Sequence, residues 1–426
     1  MYYFVKKNIS IILFFIPLSF VIGVAITEFL VLLSIIFFLI FNRDKTQFSN
    51  PKIIFLFLFS TYIFINSFFQ IDVRSKDLLV SSLFHFRFVI FAISIFYISE
   101  LMNDFKNKKY FLMFNFFLLI LMIDAVFQFF NGSNVFGYEI IGGRVSSFFK
   151  DELVLGSFLI RLLPFFFWFI FFFKFDLKKN QYFIVIFLSF YLISIYLSAG
   201  RTSFFLCTVL IILTYLIIKD LRRILTFSIL NLIIFILFVS YFKLGNSNPG
   251  NKLFIKTFKQ IGIIDIKKDK NVNENNILSK NFKIYSEDHE GHIKLGLKLF
   301  NENKIFGVGP KGFRHYCRTV NFDPSVGICS THPHNILIQI ISELGLIGLL
   351  FYVVAAIYVL FNFFRSVFNK NFTTEYLAFY SATMGLIINL FPFIPSGNFF
   401  NNWISIILYY NIGLYLYSYK KCISND

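Results

Sequence analysis

Twelve long apolar segments limit what this chain can fold into. They cover residues 9–26, 28–41, 52–70, 80–99, 109–130, 153–173, 182–198, 202–218, 223–242, 345–364, 374–391 and 401–418. About 20 apolar residues in a helix are long enough to cross a bilayer, and a helix satisfies its own backbone hydrogen bonds there. The sequence therefore predicts an all-α polytopic membrane protein with about twelve transmembrane helices, the first two joined by a turn at Thr27-Glu28.

The composition agrees with this fold class. Hydrophobic residues make up 57% of the 426 residues and charged residues only 15%, whereas soluble domains carry about 25% charged residues. In a soluble protein the net charge of +17 would suggest nucleic-acid binding. Here most basic residues lie in short loops between apolar segments, as the positive-inside rule describes. We therefore expect a lipid bilayer around the chain, and no nucleic acid as a partner.

The distribution of Lys and Arg also predicts the orientation. If both termini are cytoplasmic, the cytoplasmic segments are rich in Lys and Arg, and the short outer loops hold few. Lys6 and Lys7 precede the first apolar segment, as in a signal peptide, but that segment is too long and lacks a small-residue cleavage site. We therefore interpret it as retained membrane helices.

A long outer segment divides the chain into three parts. Residues 1–242 contain predicted helices one to nine, residues 243–333 form a periplasmic loop with short helices, and residues 334–426 contain helices ten to twelve. Long loops are exempt from the charge rule. Residues 245–281 are rich in Asn, Lys and Gly, which is typical of a mobile stretch. The apolar spacing in 291–300 predicts a short amphipathic helix.

Four charged residues fall in the outer half of the predicted membrane region. Arg87, Asp124 and Arg161 lie within spans, and Arg201 lies at an outer turn. A charge at the centre of a span costs at least about 2.5–3.5 kcal/mol, so such residues are candidates for function. Snorkelling to the interface is an alternative explanation for Arg87. Arg161 and Arg201 together favour an anion site open to the outer side.

The residues with the most varied chemistry lie in 307–348. Glycines and a proline at 307–312 predict a tight turn, but their spacing is not that of a phosphate-binding P-loop. His332 and His334 flank Pro333 where the loop returns to the membrane. Three interpretations remain open for these histidines: a metal site, which lacks a nearby third ligand; a general base at His334 facing a cationic pocket; and a structural histidine bonded to backbone.

The cysteine positions predict one disulfide. Cys317 and Cys329 both lie in the large outer loop, twelve positions apart, and the outer side of a bacterial membrane is oxidising. Cys207 lies within a span and Cys422 in the cytoplasmic tail. We therefore expect a Cys317–Cys329 bridge, with two unpaired thiols in that loop as the alternative.

Several of these motifs resemble the O-antigen ligase and polymerase superfamily. They are His334-Asn335 followed by Gly345-Leu346-Ile347-Gly348, the upstream Gly307-Val308-Gly309, and Arg201 at the start of a span. The predicted architecture, with one large periplasmic loop late in the chain, also resembles that family.

The resemblance implies a glycosyltransferase of the bacterial inner membrane with its active site facing the periplasm. Its donor would be an undecaprenyl-pyrophosphate-linked glycan, and its acceptor lipid A-core or a growing glycan. Arg201 would bind the donor pyrophosphate and His334 would deprotonate the acceptor hydroxyl. Many family members have a further arginine near 289–292, where this chain has His289 and His292. The candidates for pyrophosphate binding besides Arg201 are Arg161, Arg144, Arg314 and Lys311. The possible supporting residues are His292, Asn335, Glu343 and Arg318.

The chemistry of such a transfer fits these residue types. A pyrophosphate leaves without a proton, and arginine can hold its charge through paired hydrogen bonds. A sugar hydroxyl is a weak nucleophile that needs a positioned base. Attack opposite the pyrophosphate would invert the anomeric centre. No Asp-x-Asp motif is evident on the outer side, so we expect a metal-independent reaction without a cofactor. A polymerase using the same donor and, more distantly, a transporter or flippase are the alternatives.

Overall fold

The computed structural model describes residues 8–42, 46–68, 82, 84–105, 108–261, 285–319, 327–368 and 373–423. These residues contain fifteen α-helices and no β-strand, which confirms the predicted fold class. The helices are α1 (Ile11–Ile22), α2 (Val24–Phe41), α3 (Pro51–Phe68), α4 (Phe86–Phe105), α5 (Lys108–Asn131), α6 (Leu155–Phe172), α7 (Gln181–Leu197), α8 (Arg201–Ile217), α9 (Arg222–Phe242), α10 (Lys256–Ile261), α11 (Glu287–Glu302), α12 (Gly312–Thr319), α13 (Ile336–Phe368), α14 (Thr374–Leu390) and α15 (Asn402–Ile423).

A helix lies at each of the twelve predicted segments, as α1–α9 and α13–α15. Among the described residues, seven helices are long and apolar enough to cross a membrane: α2–α6, α9 with the turn before it, and α13. Helices α1, α7 and α8 are apolar but shorter. The predicted location of the helices is therefore right, while seven of the twelve meet the length and hydropathy of a full span.

Two boundaries near the N-terminal helices differ from the prediction. The break between α1 and α2 lies at Gly23 rather than at Thr27-Glu28, because the glycine adopts a backbone conformation that ends the helix (φ 157°, ψ 155°). Thr27 stays inside α2 since its hydroxyl bonds to the Gly23 carbonyl at 3.2 Å. Arg87 lies in the first turn of α4, not deep in a span, and it forms a 2.9 Å ion pair with Glu28.

Helix α6 lies at the centre of the bundle and is buried along almost its whole length. It packs along α14, which in turn packs on α15 and α13, while α15 lies along α4. Aromatic rings fill much of this interior; the Phe14 and Phe169 ring centroids, for example, lie 4.5 Å apart. The Trp168 indole donates to the Ser418 hydroxyl at 2.7 Å. The buried phenylalanines therefore serve as packing residues between helices, while others are exposed.

Helix α13 is broken at Gly345, where the backbone is left-handed (φ 64°, ψ −160°). Residues 304–308 enter the break: the Val308 amide donates to the Ser342 carbonyl and the Leu346 amide to the Lys304 carbonyl, both at 2.8 Å. A Cβ on Gly307 would lie 2.5 Å from the Glu343 carbonyl carbon. The two chain segments thus touch backbone to backbone, which only glycine allows.

The segment 243–333 contains three short helices in its described residues. α11 contains the predicted 291–300 helix and extends it at both ends. Residues 251–261 of the stretch expected to be mobile form a π-helical turn and α10, and residues 262–281 lie outside the described residues. Leu295 and Leu299 of α11 pack with Phe313 of α12 in a small core. A disulfide joins Cys317 to Cys329, with Cα atoms 5.5 Å apart.

The break in α13 generates a prediction about stability. Gly307→Ala adds a left-handed alanine and a backbone clash, and we expect it to lower the free energy of unfolding by more than about 3 kcal/mol. Gly137 is the matched control, because it also has a positive φ (84°) but nothing within 4 Å of an added Cβ. Gly137→Ala should cost only about 1–2 kcal/mol. Thermal unfolding of the detergent-purified variants measures both; equal losses would contradict the backbone contact.

Candidate active site

The turn that precedes α13 is fixed by backbone and amide hydrogen bonds. Asn335 caps the helix, since its side-chain oxygen accepts from the Ile338 amide at 3.0 Å, and its side-chain nitrogen donates to the Pro392 carbonyl at 2.7 Å. The His334 carbonyl accepts from the Ser396 amide at 2.8 Å. These bonds hold His334 in a left-handed conformation (φ 54°), which is uncommon for a residue other than glycine.

The two histidines of this turn differ in their hydrogen bonds. The Nε2 of His332 donates to the Ser396 carbonyl at 3.2 Å, and its Nδ1 accepts from the Thr331 hydroxyl at 2.9 Å. His332 is therefore a structural histidine with one fixed tautomer. Among the described residues, no hydrogen-bond partner contacts the ring nitrogens of His334, so its imidazole is available to a substrate.

Helix α11 brings two more imidazoles against His334. His289 and His292 lie three residues apart and so share one face of the helix. The His289 ring stacks on that of His334 at 5.6 Å between centroids and 10° between planes, and the His292 ring lies at 4.9 Å. The Nδ1 of His292 donates to the Ile328 carbonyl at 2.8 Å. The ring centroids of His332 and His334 lie 4.0 Å apart. His289, His292, His332 and His334 therefore form a cluster of four histidines.

Burial lowers the pKa of three of these imidazoles, those of His334, His332 and His289. Desolvation, together with repulsion from His332, His292 and His289, lowers the pKa of His334 to about 3. Desolvation is also the main cause that lowers the pKa of His332 to about 4. Within the described part of the chain, no three His, Cys, Asp or Glu side chains converge as metal ligands do.

A first cationic cluster consists of Arg144, Arg201 and Lys252. Arg201 begins α8, as predicted. The Arg144 guanidinium donates to the Ser198 carbonyl in the turn before Arg201, at 3.0 Å, and the Lys252 ammonium donates to the Gly142 carbonyl. Burial and the charge of Arg201 lower the pKa of Arg144. The pKa of Lys252 is lowered by burial, then by Arg144, Lys256 and Arg201. A group of mutually repelling cations favours the binding of an anion.

Buried polar side chains of α5 position the loop that carries Arg144. Asp124 accepts from the Val135 amide at 3.0 Å and from the Ser147 hydroxyl at 2.5 Å. Gln128 accepts from the amides of Ser146 and Ser147, at 3.1 and 2.7 Å. The charge of Asp124, which the sequence placed inside a span, is thus explained by its bonds to this loop.

The π-helical turn that carries Lys252 is held by apolar contacts. Leu253 is buried, and the Phe254 ring packs edge-on against Phe204 of α8 at 5.7 Å. The turn is thereby fixed above the start of α8, next to the first cationic cluster.

A second cationic cluster consists of Lys311, Arg314 and Arg87. Burial and repulsion from Arg314 lower the pKa of Lys311, with a smaller effect from Arg87 and an opposing one from Glu343. The buried Glu343 carboxylate accepts from the Phe313 amide at 3.2 Å and from the Gln339 side chain at 3.0 Å. Glu343 therefore anchors the start of α12 to α13.

Comparison with known protein families gives a match that covers most of the residues described above. Residues 184–353 match the family model described as O-antigen ligase. The matched residues run from α7 to α13, and they include Arg201, all four clustered histidines and the Gly307–Gly345 contact. No curated protein and no solved structure matches the chain. The resemblance to the O-antigen ligase superfamily is thus confirmed over about two fifths of the chain.

The predicted basic residues occupy different places in the structure. Arg144 and Arg201 lie together, while Lys311 and Arg314 belong to the second cluster. Arg161 lies within the bundle, where it donates to the Ser157 hydroxyl at 2.7 Å and to Asn389 at 3.1 Å; its contact with a donor stays a prediction. Arg318 is exposed on α12. Sequence reasoning missed Lys252, which lies in no recognisable motif, whereas the spacing of His289 and His292 was a usable signal.

The low pKa of His334 predicts its reactivity toward diethyl pyrocarbonate, which modifies only neutral imidazole. Because the pKa lies well below the usual 6.5, the neutral form should persist as the pH falls from 7 to 5. We expect the modification rate of His334, followed by peptide mass spectrometry, to change less than about two-fold over this range. The rate for free histidine in the same buffers should fall severalfold. A midpoint near 6.5 for His334 would contradict its burial among the other histidines.

Proposed function

We propose that this protein is an O-antigen ligase, a glycosyltransferase that moves a glycan from an undecaprenyl-pyrophosphate donor to a hydroxyl of lipid A-core. The observation that carries the proposal is the imidazole of His334, which has no hydrogen-bond partner among the described residues. It stacks on His289, which interacts with Arg201 of the first cationic cluster, and all three residues lie within the region that matches the family. We place the protein in the bacterial inner membrane, with both termini in the cytoplasm and this site at the periplasmic face. The charge distribution supports that orientation.

The first cationic cluster suits the donor pyrophosphate. Cleavage of the glycosidic bond leaves negative charge on the pyrophosphate, which departs without needing a proton. The guanidinium groups of Arg201 and Arg144 stabilise that charge by charge-assisted hydrogen bonds, and Lys252 adds a third cation. These side chains supply the positive charge that a divalent ion supplies in many sugar-nucleotide transferases, so we propose a metal-independent reaction.

His334 suits the role of general base. Its neutral imidazole can accept the proton of the acceptor hydroxyl as the oxygen attacks the anomeric carbon. The pKa of about 3 in the free protein would make it a weak base. Binding of the anionic pyrophosphate nearby would favour the protonated form of the imidazole and thereby raise the pKa of His334. Base strength is thus coupled to donor binding, and attack opposite the leaving group inverts the anomeric centre.

The transporter alternative is less well supported. Broken helices line the substrate sites of many transporters, and α13 is broken at Gly345. Here, however, residues 304–308 of the same chain bond to the backbone at the break. The backbone groups that the break in α13 exposes are therefore bonded to this loop, and they do not need a substrate cavity to satisfy them.

A polymerase remains the second candidate, because the same base and cations would serve a growing glycan as acceptor. The lipopolysaccharide of a deletion strain distinguishes the two. Loss of a ligase leaves unmodified core and accumulated long lipid-linked glycan. Loss of a polymerase leaves core capped with a single repeat unit, and that result would overturn the ligase assignment.

The role of His334 predicts the effect of His334→Ala. Removing the base should lower kcat at least about 100-fold, since general bases contribute about 10²–10⁴-fold, while donor binding changes little. Transfer in purified proteoliposomes, with donor binding measured separately, tests this. His315→Ala, in α12, controls for the loss of an imidazole elsewhere. Near-normal transfer by His334→Ala would reject the assignment.

The geometry of guanidinium predicts the effect of Arg201→Lys. Lysine keeps the charge but cannot form two parallel hydrogen bonds to a phosphate, so we expect kcat/KM for the donor to fall at least about 10-fold. Arg222 is a matched control, because like Arg201 it is the first residue of a helix. Its guanidinium donates to the carbonyls of Tyr215 and Leu216. Arg222→Lys should retain transfer. Full turnover by Arg201→Lys would show that the paired contact is wrong.

A further inference from the structure

The second cationic cluster is not explained by the donor. Lys311 interacts electrostatically with both Arg314 and Arg87, and Arg314 also interacts with His332. The first cluster interacts with His289 through Arg201. The rings of His289 and His332 both contact His334, at 5.6 and 4.0 Å. The two clusters thus approach the proposed base through different neighbours.

The fold fixes Arg314 beside the histidine turn by two attachments of α12. The residue before it, Phe313, donates its amide to Glu343 at 3.2 Å. Cys317 lies three residues after Arg314, on the same helical face, and its disulfide leads to Cys329, three residues before His332. Arg314 therefore has little freedom to move away from the site.

Two buried donors in this cluster have no acceptor. Among the described residues, neither the Nε of Arg314 nor the Nε of Arg87 has a hydrogen-bond partner. A buried donor without a partner is costly, and bonded partners are the rule in folded proteins. The Glu343 carboxylate is engaged by Phe313 and Gln339. Glu28 bonds the Nη2 of Arg87 through one oxygen, and among the described residues its other oxygen has no partner. An incoming anion would offer an acceptor to these guanidinium groups and balance the excess positive charge.

We propose that Lys311, Arg314 and Arg87 bind a negatively charged group, phosphate or carboxylate, on the acceptor glycan. The inference rests on the proposed transfer reaction. In a displacement that inverts the anomeric carbon, the acceptor enters on the face opposite the pyrophosphate. One anion site beside the base is required for the leaving group, so a second site, reached through a different histidine, belongs to the acceptor. The cluster would select acidic acceptors and align their hydroxyl with His334.

Acceptor kinetics test this selectivity. The probes are a phosphorylated core oligosaccharide, the same oligosaccharide after phosphatase treatment, and one carrying uronic acid in place of phosphate. For Arg314→Gln we expect KM for the phosphorylated acceptor to rise at least about 10-fold, as for loss of a charge-assisted hydrogen bond. KM for the phosphatase-treated acceptor should rise less than about 3-fold, and KM for the donor less than about 2-fold. Lys311→Gln should repeat the pattern independently. The uronic acid probe shows whether carboxylate can replace phosphate.

Lys294→Gln, at an exposed lysine of neighbouring α11, is the control for loss of one positive charge and should leave all constants unchanged. A rise in donor KM would assign the cluster to the pyrophosphate, and equal effects on charged and uncharged acceptors would also overturn the proposal. Calorimetric measurement of the binding of the phosphorylated oligosaccharide, without donor, tests the acceptor site separately from the proposed transfer reaction. Absence of product from the wild type refutes the proposed reaction, whereas binding that is insensitive to Arg314→Gln refutes the acceptor site.

Discussion

The backbone contact between Gly307 and Gly345 is the constraint on which the candidate site depends. It interrupts α13, so that the short helical segment from Ile336 to Leu344 ends where the long segment begins. His334 and its cap Asn335 stand at the free end of the short segment. The loop that fills the break continues through Lys311 into α12, which carries Arg314, so it supplies two of the three residues of the second cationic cluster. A side chain at either glycine would overlap backbone atoms of the other segment, so one contact sets the position of both.

Electrostatics provide the second organising feature. Two cationic clusters interact with the histidine group, one through Arg201 and His289 and the other through Arg314 and His332. The acidic residues near them are mostly used for structure. Asp124 holds the loop of Arg144, and Glu343 holds the start of α12. The site thus keeps a positive potential until an anion binds. In the proposed reaction the donor both supplies the glycan and strengthens the base, which limits proton transfer to the loaded enzyme.

Hydropathy and charge predicted much of the fold because helices that cross a membrane must be long and apolar. The position of Arg201 at the start of α8 and the helix over 291–300 followed from local patterns in the same way. The break at Gly23 was missed because the polar residues Thr27 and Glu28 looked like a turn. Their side chains instead find partners inside the bundle, including Arg87 from a distant helix.

The candidate site was predictable only in part. The motif around His334 is local, and the structure brings it together with the histidines of α11. The division of the basic residues into two clusters could not be predicted from the sequence, because it depends on which helix each loop packs against. Lys252 comes from a stretch whose composition suggested mobility, yet Leu253 and Phe254 anchor it to the bundle. Such long-range packing leaves no periodic signal in the sequence.

Product analysis of the purified protein tests the central claim most directly. The protein in proteoliposomes would receive an undecaprenyl-pyrophosphate-linked glycan and lipid A-core in buffer with EDTA. The account predicts one glycan transferred for each undecaprenyl pyrophosphate released, with the new linkage inverted at the anomeric carbon by NMR. A retained configuration, release of undecaprenyl pyrophosphate without transfer, or loss of activity that a divalent ion restores would contradict it.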